Sequence, residues 1–332
     1  MMRAAWYERN GAAAEVLRFG EQPVPMPGPG EVRVRVMFSG VNPSDVKARA
    51  GSRAVREGIV IPHSDGAGVV DVAGQGVDPA RIGERVWIWN AQHKRPHGTA
   101  AEYVVLPSRQ AVSLPDSTSF EAGACLGIPA MTAYRAVDLA EVGSGQSVLV
   151  IGGASAVGFY ALQMARARAA RVITTVGSQE KAAFLHHAGF QDTVLYKQES
   201  VTERVLALTE GAGVNAIIDM DFSSSSSLVD EGVLAAHGNF ISFGSNFRGP
   251  VPVNYGAWLP RSLTLKFFLI YELTPAQRLS TVSGLQALLR QGRLNHHIGH
   301  RYPLWDIVAA HVAVERGALG NVVVDCRETS VQ

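Results

Sequence analysis

The stretch Val150-Ile-Gly-Gly-Ala-Ser-Ala-Val-Gly158 decides how this chain is read. Leading into it, Ser147-Val-Leu-Val-Ile151 is a continuous apolar run of the kind found in a parallel strand buried on both faces. Behind it, Phe159 to Ala170 is rich in Ala, Leu and Met and reads as a helix. A strand-to-helix turn of small residues reverses the chain tightly, brings backbone N–H groups close to a pyrophosphate, and seats the helix against the strand. Gly152, Ser155 and Gly158 hold the i, i+3 and i+6 positions. Ser155 replaces the commoner middle glycine; it is still small and adds a hydroxyl. In isolation such a pattern is an ordinary turn. Between this strand and this helix it predicts a dinucleotide site.

The alternation continues outward. Arg171–Val176, Thr193–Tyr196, Val214–Asp219 and Asn239–Phe243 read as strands, with a helix over Lys181–Ala188. This is the βαβ grammar of a Rossmann-type domain. The five-serine run Ser223–Ser227 reads as a polar loop or helix start inside it. Further on come a β-rich stretch (Leu263–Leu269), a helix (Pro275–Gln291) and a last strand, Asn321–Asp325. The first part of the chain differs. Short alternating runs at Glu31–Met37, Gly68–Val72, Glu84–Trp89 and Glu102–Leu106, broken by Gly and Pro, suit a small irregular β-barrel. Glu121 to Ala140 is helix-compatible except around Gly127 and Pro129.

A dinucleotide unit selective for NAD carries an acidic residue about 20 positions past the turn, where it binds the ribose 2′-hydroxyl. Here Gly177 and Ser178 end the second strand, and Glu180 and Lys181 follow. A carboxylate repels a 2′-phosphate, whereas hydroxyl and ammonium donors welcome it, so NADPH is the better fit. By itself Lys181 reads as an exposed helix lysine.

Bulk properties narrow the classes. A chain of 332 residues has room for two domains. With 47% hydrophobic and 18% charged residues it reads as an ordinary globular protein, and a net charge of +1 with no basic patch argues against nucleic acid. Two cysteines, Cys125 and Cys326, are too few for a disulfide framework or a cysteine-built metal site and read as reduced core thiols. The start, Met1–Gly11, lacks the apolar core of a signal peptide, and no run is long enough to span a membrane. A soluble, cytoplasmic protein is expected.

Taken in order, Val41-Asn-Pro-Ser-Asp45 with Arg49 and Gly51, Asp65-Gly-Ala-Gly-Val69, Gly127 through Thr132-Ala-Tyr134, the Gly152–Gly158 turn, and Gly177-Ser-Gln-Glu-Lys181 resemble the quinone oxidoreductase (zeta-crystallin-like) branch of the medium-chain dehydrogenases. The likeness covers nearly the whole chain. It implies an α/β protein: a GroES-like irregular β-barrel catalytic domain from residues 1–122 and 264–332, and a Rossmann doubly wound parallel-sheet domain over 123–263. It also implies a homodimer or homotetramer and an active site in the cleft. Carried over by motif, Asn42, Asp45 and Thr132 form the catalytic set, with Asn42 and Thr132 beside the nicotinamide. Gly152, Ser155, Ala156, Val157 and Gly158 line the pyrophosphate; Ser178, Lys181 and Tyr196 hold the adenosine 2′-phosphate; Phe243, Gly244 and Ser245 contact the nicotinamide side. Without the resemblance, Asn42 before Pro43 reads as a turn residue.

Zinc-dependent relatives place a Cys at the Asn42 position, a His-Glu pair at Ser64-Asp65, and a four-cysteine loop elsewhere. This sequence has none of these, so no metal is expected; His63, one position from the expected ligand, reads as a local departure. The groups His93/His97 and His296/His297/His300 lack a neighbouring carboxylate or Cys and read as scattered surface histidines. Alcohol oxidation wants a Lewis acid, whereas a quinone or enone is already electron-poor, so the expected reaction is hydride transfer from NADPH to a quinone or α,β-unsaturated carbonyl. Two rivals stand beside it: a zinc-type alcohol dehydrogenase with unusual ligands, and a non-enzymatic NADPH-binding structural or RNA-binding protein. The segments Ala48–Glu57, Asn90–Thr99 and Asn246–Trp258, expected to line the substrate, carry no readable pattern.

Overall fold

The structure, a computed structural model, describes residues 1–55 and 58–327. Glu57, at the end of one expected substrate-lining segment, lies outside them. The chain divides into two compact units, one from Met1–Pro129 with Ala287–Gln332, the other Ala130–Gln286.

In the first unit β1 (Met2–Trp6) and β2 (Arg18–Gln22) form an antiparallel pair. The central strand is β3 (Glu31–Val41), which pairs antiparallel with β4 (Asp65–Ala73). Val32, Val34 and Val36 point inward along β3, as its alternating sequence requires, and Arg33 reaches Asp71 at 2.7 Å on the other face. Two register shifts between β3 and β4 bend the sheet, as bulges do where a sheet must curl. Beyond β4 come β5 (Arg85–Ile88) and β7 (Ala111–Ser113), while β6 (Tyr103–Pro107) pairs with β3.

The second unit is a six-stranded parallel sheet. Its strands are β8 (Ser147–Val150), β9 (Arg171–Val176), β10 (Thr193–Leu195), β11 (Val214–Asp219), β12 (Leu234–Ser242) and β13 (Thr264–Phe267). Their spatial order is β10-β9-β8-β11-β12-β13, the doubly wound order. The order reverses between β8 and β11, so ligands are expected outside the carboxyl ends of those two strands. The serine run forms two short helices, Phe222–Ser225 and Ser227–Asp230.

The chain then returns to the first unit, where β14 (Ile298–Pro303) pairs parallel with β15 (Asn321–Asp325) and β15 pairs antiparallel with β3. Between them, helix Ile307–Glu315 buries Ile307, Ala310 and His311, an i, i+3, i+4 stripe. The boundary expected at 263/264 is displaced. β13 hydrogen-bonds to β12 along Asn239–Ser242, so Thr264–Phe267 belongs to the parallel sheet, and the division between units falls at Gln286/Ala287. A short, half-exposed edge strand looks in sequence like a barrel strand.

Candidate functional site

The phosphate-binding turn follows β8. Gly152 adopts φ +73°, a conformation that disfavours a side chain, and a Cβ on Gly158 would lie 2.3 Å from the Gly152 carbonyl oxygen. No larger residue fits at Gly158. Ser155 caps helix Ala156–Ala167, its hydroxyl accepting the Gly158 N–H at 3.0 Å. The first-turn N–H groups of Ala156 and Val157 have no partner inside the helix, the arrangement that receives a phosphate. Gly152 itself donates its N–H to the Thr175 hydroxyl at 3.0 Å, and the Thr174 hydroxyl donates to the Val150 carbonyl at 2.7 Å. Those two β9 threonines pin the turn. Sequence reasoning passed over them, because a threonine in a buried strand usually signals only β propensity.

At the end of β9, Ser178 caps helix Gln179–His187, and its hydroxyl oxygen accepts the Lys181 N–H at 3.3 Å. The Tyr196 phenol lies against Gly177; a Cβ there would come within 3.0 Å of its oxygen. Tyr196 is 51% exposed and Ser178 is half-buried, so a hydroxyl and a phenol stand at this strand end with no carboxylate on Gly177 or Ser178, and Lys181, half-buried, follows in the first turn of the helix. This donor set suits a 2′-phosphate. After β11, the Met220 sulfur would sit 2.6 Å from a Cβ on Gly152, and the Met220 carbonyl oxygen 2.6 Å from one on Gly244. Met220 therefore lies between two expected cofactor glycines, a contact no motif announces. Asp219 and Asp221 fix this loop: Asp219 accepts from Ser225 at 2.5 Å and Ser242 at 2.8 Å, and Asp221 from Ser223, Ser224 and Asn246. Those hydrogen bonds hold Asp221 below the usual carboxylate range, against a smaller opposing pull than their sum from burial. Phe243 packs on Phe268 at 5.9 Å between centroids, and Ser245 donates to the Phe247 carbonyl. Thr132, on helix Met131–Ala140, is 3% exposed, and its hydroxyl has no partner among the described residues.

In the first unit, Asn42 caps helix Pro43–Lys47, and its backbone N–H reaches Asp45 Oδ2 at 2.9 Å. The Asn42 side-chain nitrogen donates to Asp65 Oδ2 at 2.9 Å, which also accepts the Ile128 N–H at 2.9 Å. Asn42, Asp45 and Asp65 are all buried. Burial pushes the Asp45 carboxyl up to about 7; burial and the Asp45 charge raise Asp65 well above the usual range. The Asn42 amide is thus held by a buried carboxyl, leaving one amide hydrogen for another acceptor.

His63 is not merely a local departure. It is fully buried with φ +77°, and its Nε2 lies 3.0 Å from Nε2 of His311, 248 residues away. His63 Nδ1 meets the Ser39 hydroxyl at 2.8 Å, Ser39 meets Thr99 at 2.7 Å, and the Thr99 hydroxyl donates to the Asp65 carbonyl. That carbonyl can only accept, which sets every proton in the chain. Thr99 donates to it, Ser39 to Thr99, His63 Nδ1–H to Ser39, and His311 Nε2–H to His63 Nε2. Both imidazoles are neutral, and burial lowers both, His63 to about 3. His296 and His297 are also not surface groups: both are half-buried, and the His297 carbonyl accepts from Asn321. Among the described residues, no three His, Cys, Asp or Glu side chains gather as a metal site, and no helix is long and apolar enough to cross a membrane.

Residues 28–116 match the alcohol dehydrogenase GroES-like domain family, and residues 156–285 the zinc-binding dehydrogenase family. Together they define a two-part, medium-chain type of dehydrogenase. A quinone oxidoreductase of Pseudomonas aeruginosa is 31% identical over 93% of this chain and 95% of its own length. Among solved structures, the mycobacterial protein Rv1454c complexed with NADPH is 30% identical, with a TM-score of 0.85 over 97% of this chain and 99% of its own. An NAD-dependent alcohol dehydrogenase is 29% identical, with a TM-score of 0.87 over 98% of this chain and 99% of its own. The chain belongs to the quinone oxidoreductase branch of the medium-chain dehydrogenase/reductase family.

Proposed function

We propose that the protein is a zinc-independent, NADPH-dependent oxidoreductase that reduces a quinone or an α,β-unsaturated carbonyl. The observation that carries this reading is the end of β9, where Ser178, Lys181 and Tyr196 supply donors and no carboxylate stands on Gly177 or Ser178. The quinone oxidoreductase relatives and the NADPH complex of a structural neighbour support it. When bound, the cofactor supplies hydride. The chain's own work is to bind, orient and polarise. The Gly152–Gly158 turn presents the Ala156 and Val157 N–H groups to pyrophosphate, and Asn42, its nitrogen held by Asp65, offers its remaining amide hydrogen to ribose or acceptor oxygen.

Zinc independence is read from the donor set. Asn42 stands where zinc relatives have Cys, and its amide is already committed to Asp65. The test is NADPH and NADH oxidation with 9,10-phenanthrenequinone and a simple enone, before and after dialysis against a chelator. The expected result is NADPH-preferring turnover that survives chelation. Activity lost on chelation and restored only by zinc would return the alcohol dehydrogenase reading, and no turnover with any acceptor would leave a cofactor-binding protein.

A further inference from the structure

We propose that Asp221 is a positioning residue for the nicotinamide half of the cofactor: its carboxylate clasps the loop after β12 to the serine run after β11. The proposal rests on the function above and gives the five-serine run a task that the binding motifs leave unassigned. Between β12 and helix Tyr255–Trp258 the chain forms no regular element, so the start of that loop depends on individual ties. Four donors converge on Asp221. Ser223 Oγ at 2.7 Å and the Asn246 N–H at 2.8 Å reach its Oδ1, and Ser224 Oγ at 2.9 Å and Asn246 Nδ2 at 2.7 Å reach its Oδ2. Two of these bonds come from the serine run and two cross to a residue 25 positions on. The Phe222 N–H also donates to the Gly244 carbonyl at 3.0 Å, and the Phe247 N–H to Ser223 Oγ at 3.4 Å. Beneath the clasp, Asp219 accepts the Asp221 N–H at 3.0 Å, Ser225 at 2.5 Å, and Ser242 of β12 at 2.8 Å. The first three hydroxyls of the run therefore all donate to a carboxylate.

The clasp stands where a cofactor is expected, outside the carboxyl ends of the strands at the point where the order reverses. Met220 separates the two aspartates. Its sulfur lies against Gly152 of the phosphate turn, and its carbonyl against Gly244 of the clasped loop. The loop thus begins beside the pyrophosphate, and Gly244 and Ser245 are the residues that the resemblance sets against the nicotinamide.

An ionised acceptor suits this task, because hydrogen bonds to a carboxylate are about twice as strong as neutral ones. The donors around Asp221 keep it ionised, with its carboxyl below the usual range. With the clasp closed, the loop is ordered before NADPH arrives. With it open, the loop must be ordered on binding, and that free energy is lost from the affinity.

The test compares Asp221→Ala, which removes all four acceptor contacts, with Asp221→Asn, which keeps the shape but turns one oxygen into a donor facing donors. We expect NADPH to bind Asp221→Ala about tenfold more weakly than wild type, with Asp221→Asn between the two. Adenosine 2′,5′-bisphosphate, which carries the 2′-phosphate but no nicotinamide, should bind both variants as tightly as it binds wild type. At saturating NADPH the emission of the dihydronicotinamide, which rises when the ring is held, should be lower on both variants. Unchanged NADPH affinity and emission in both would overturn the proposal. So would equal losses for NADPH and the bisphosphate, which would make Asp221 part of the general framework of the domain. A wild-type protein that fails to bind NADPH would instead refute the parent cofactor reading.

Discussion

Replacing His311 with Ala separates two effects that the buried imidazole pair combines. At pH 7.5 the variant loses the hydrogen bond to His63 Nε2, leaving that nitrogen unpaired in a dry core, and also loses the packing of a fully buried ring. An unsatisfied buried acceptor alone costs about 1–3 kcal/mol, and the cavity adds to it. We therefore expect a loss of about 3 kcal/mol at pH 7.5. The pH dependence runs the other way. His311 is held well below its usual value of 6.5, so it stays neutral in the folded protein while the unfolded chain takes up a proton as pH falls below 6.5. Stability drains from the wild type across that window, by about 2 kcal/mol per such histidine at pH 5. Without His311 that drain is at least halved, so the gap between the two proteins should close to about 1 kcal/mol at pH 5. Asp45, Asp65 and Asp219, raised by burial, titrate in both proteins and largely cancel in the difference. Urea unfolding at several pH values between 5 and 8 measures it. A gap independent of pH would refute the neutral, buried assignment of His311.

Three further outcomes follow from the two units. Wild-type protein should bind NADPH at least tenfold tighter than NADH, about 1.4 kcal/mol, and Lys181→Ala should erase most of that difference in a fluorescence titration while leaving NADH nearly unchanged; equal wild-type affinities would sink the cofactor assignment. Asn42→Ala should lower kcat for an ortho-quinone by about tenfold or more with little change in NADPH affinity; unchanged kcat and kcat/KM would make Asn42 a helix cap only. Gly158→Ala would put a methyl 2.3 Å from the Gly152 carbonyl oxygen, so NADPH binding should fall by more than about tenfold in calorimetry, and normal binding would show that the turn can open.

The parallel sheet was legible because its signals are local. Arg171–Val176 and Val214–Asp219 appear as strands at the residues expected, each a short β-branched run between turn signals. The hairpin β1–β2 and helix Ile307–Glu315 were not read. The first carries polar residues on both strands, and the second is apolar on most faces, so neither shows a clean period. In the first unit's candidate site, Asn42 and Asp45 could be reached by motif. The histidine chain could not, because His63 and His311 meet across 248 residues and neither matches a pattern.

The threading of the chain also sets an order of assembly. The parallel sheet is built from one continuous segment, whereas β3 waits for β15, which slots between it and β14 from the far end of the polypeptide. During synthesis the cofactor-binding half can mature as soon as its own residues emerge. The half that holds Asn42 and His63 must keep an open strand edge until β15 arrives, with the loop-closure entropy of the whole intervening domain still to be met. That edge is the point at which a nascent chain is most exposed to mispairing, and a helper acting on this protein would have most to gain by shielding it.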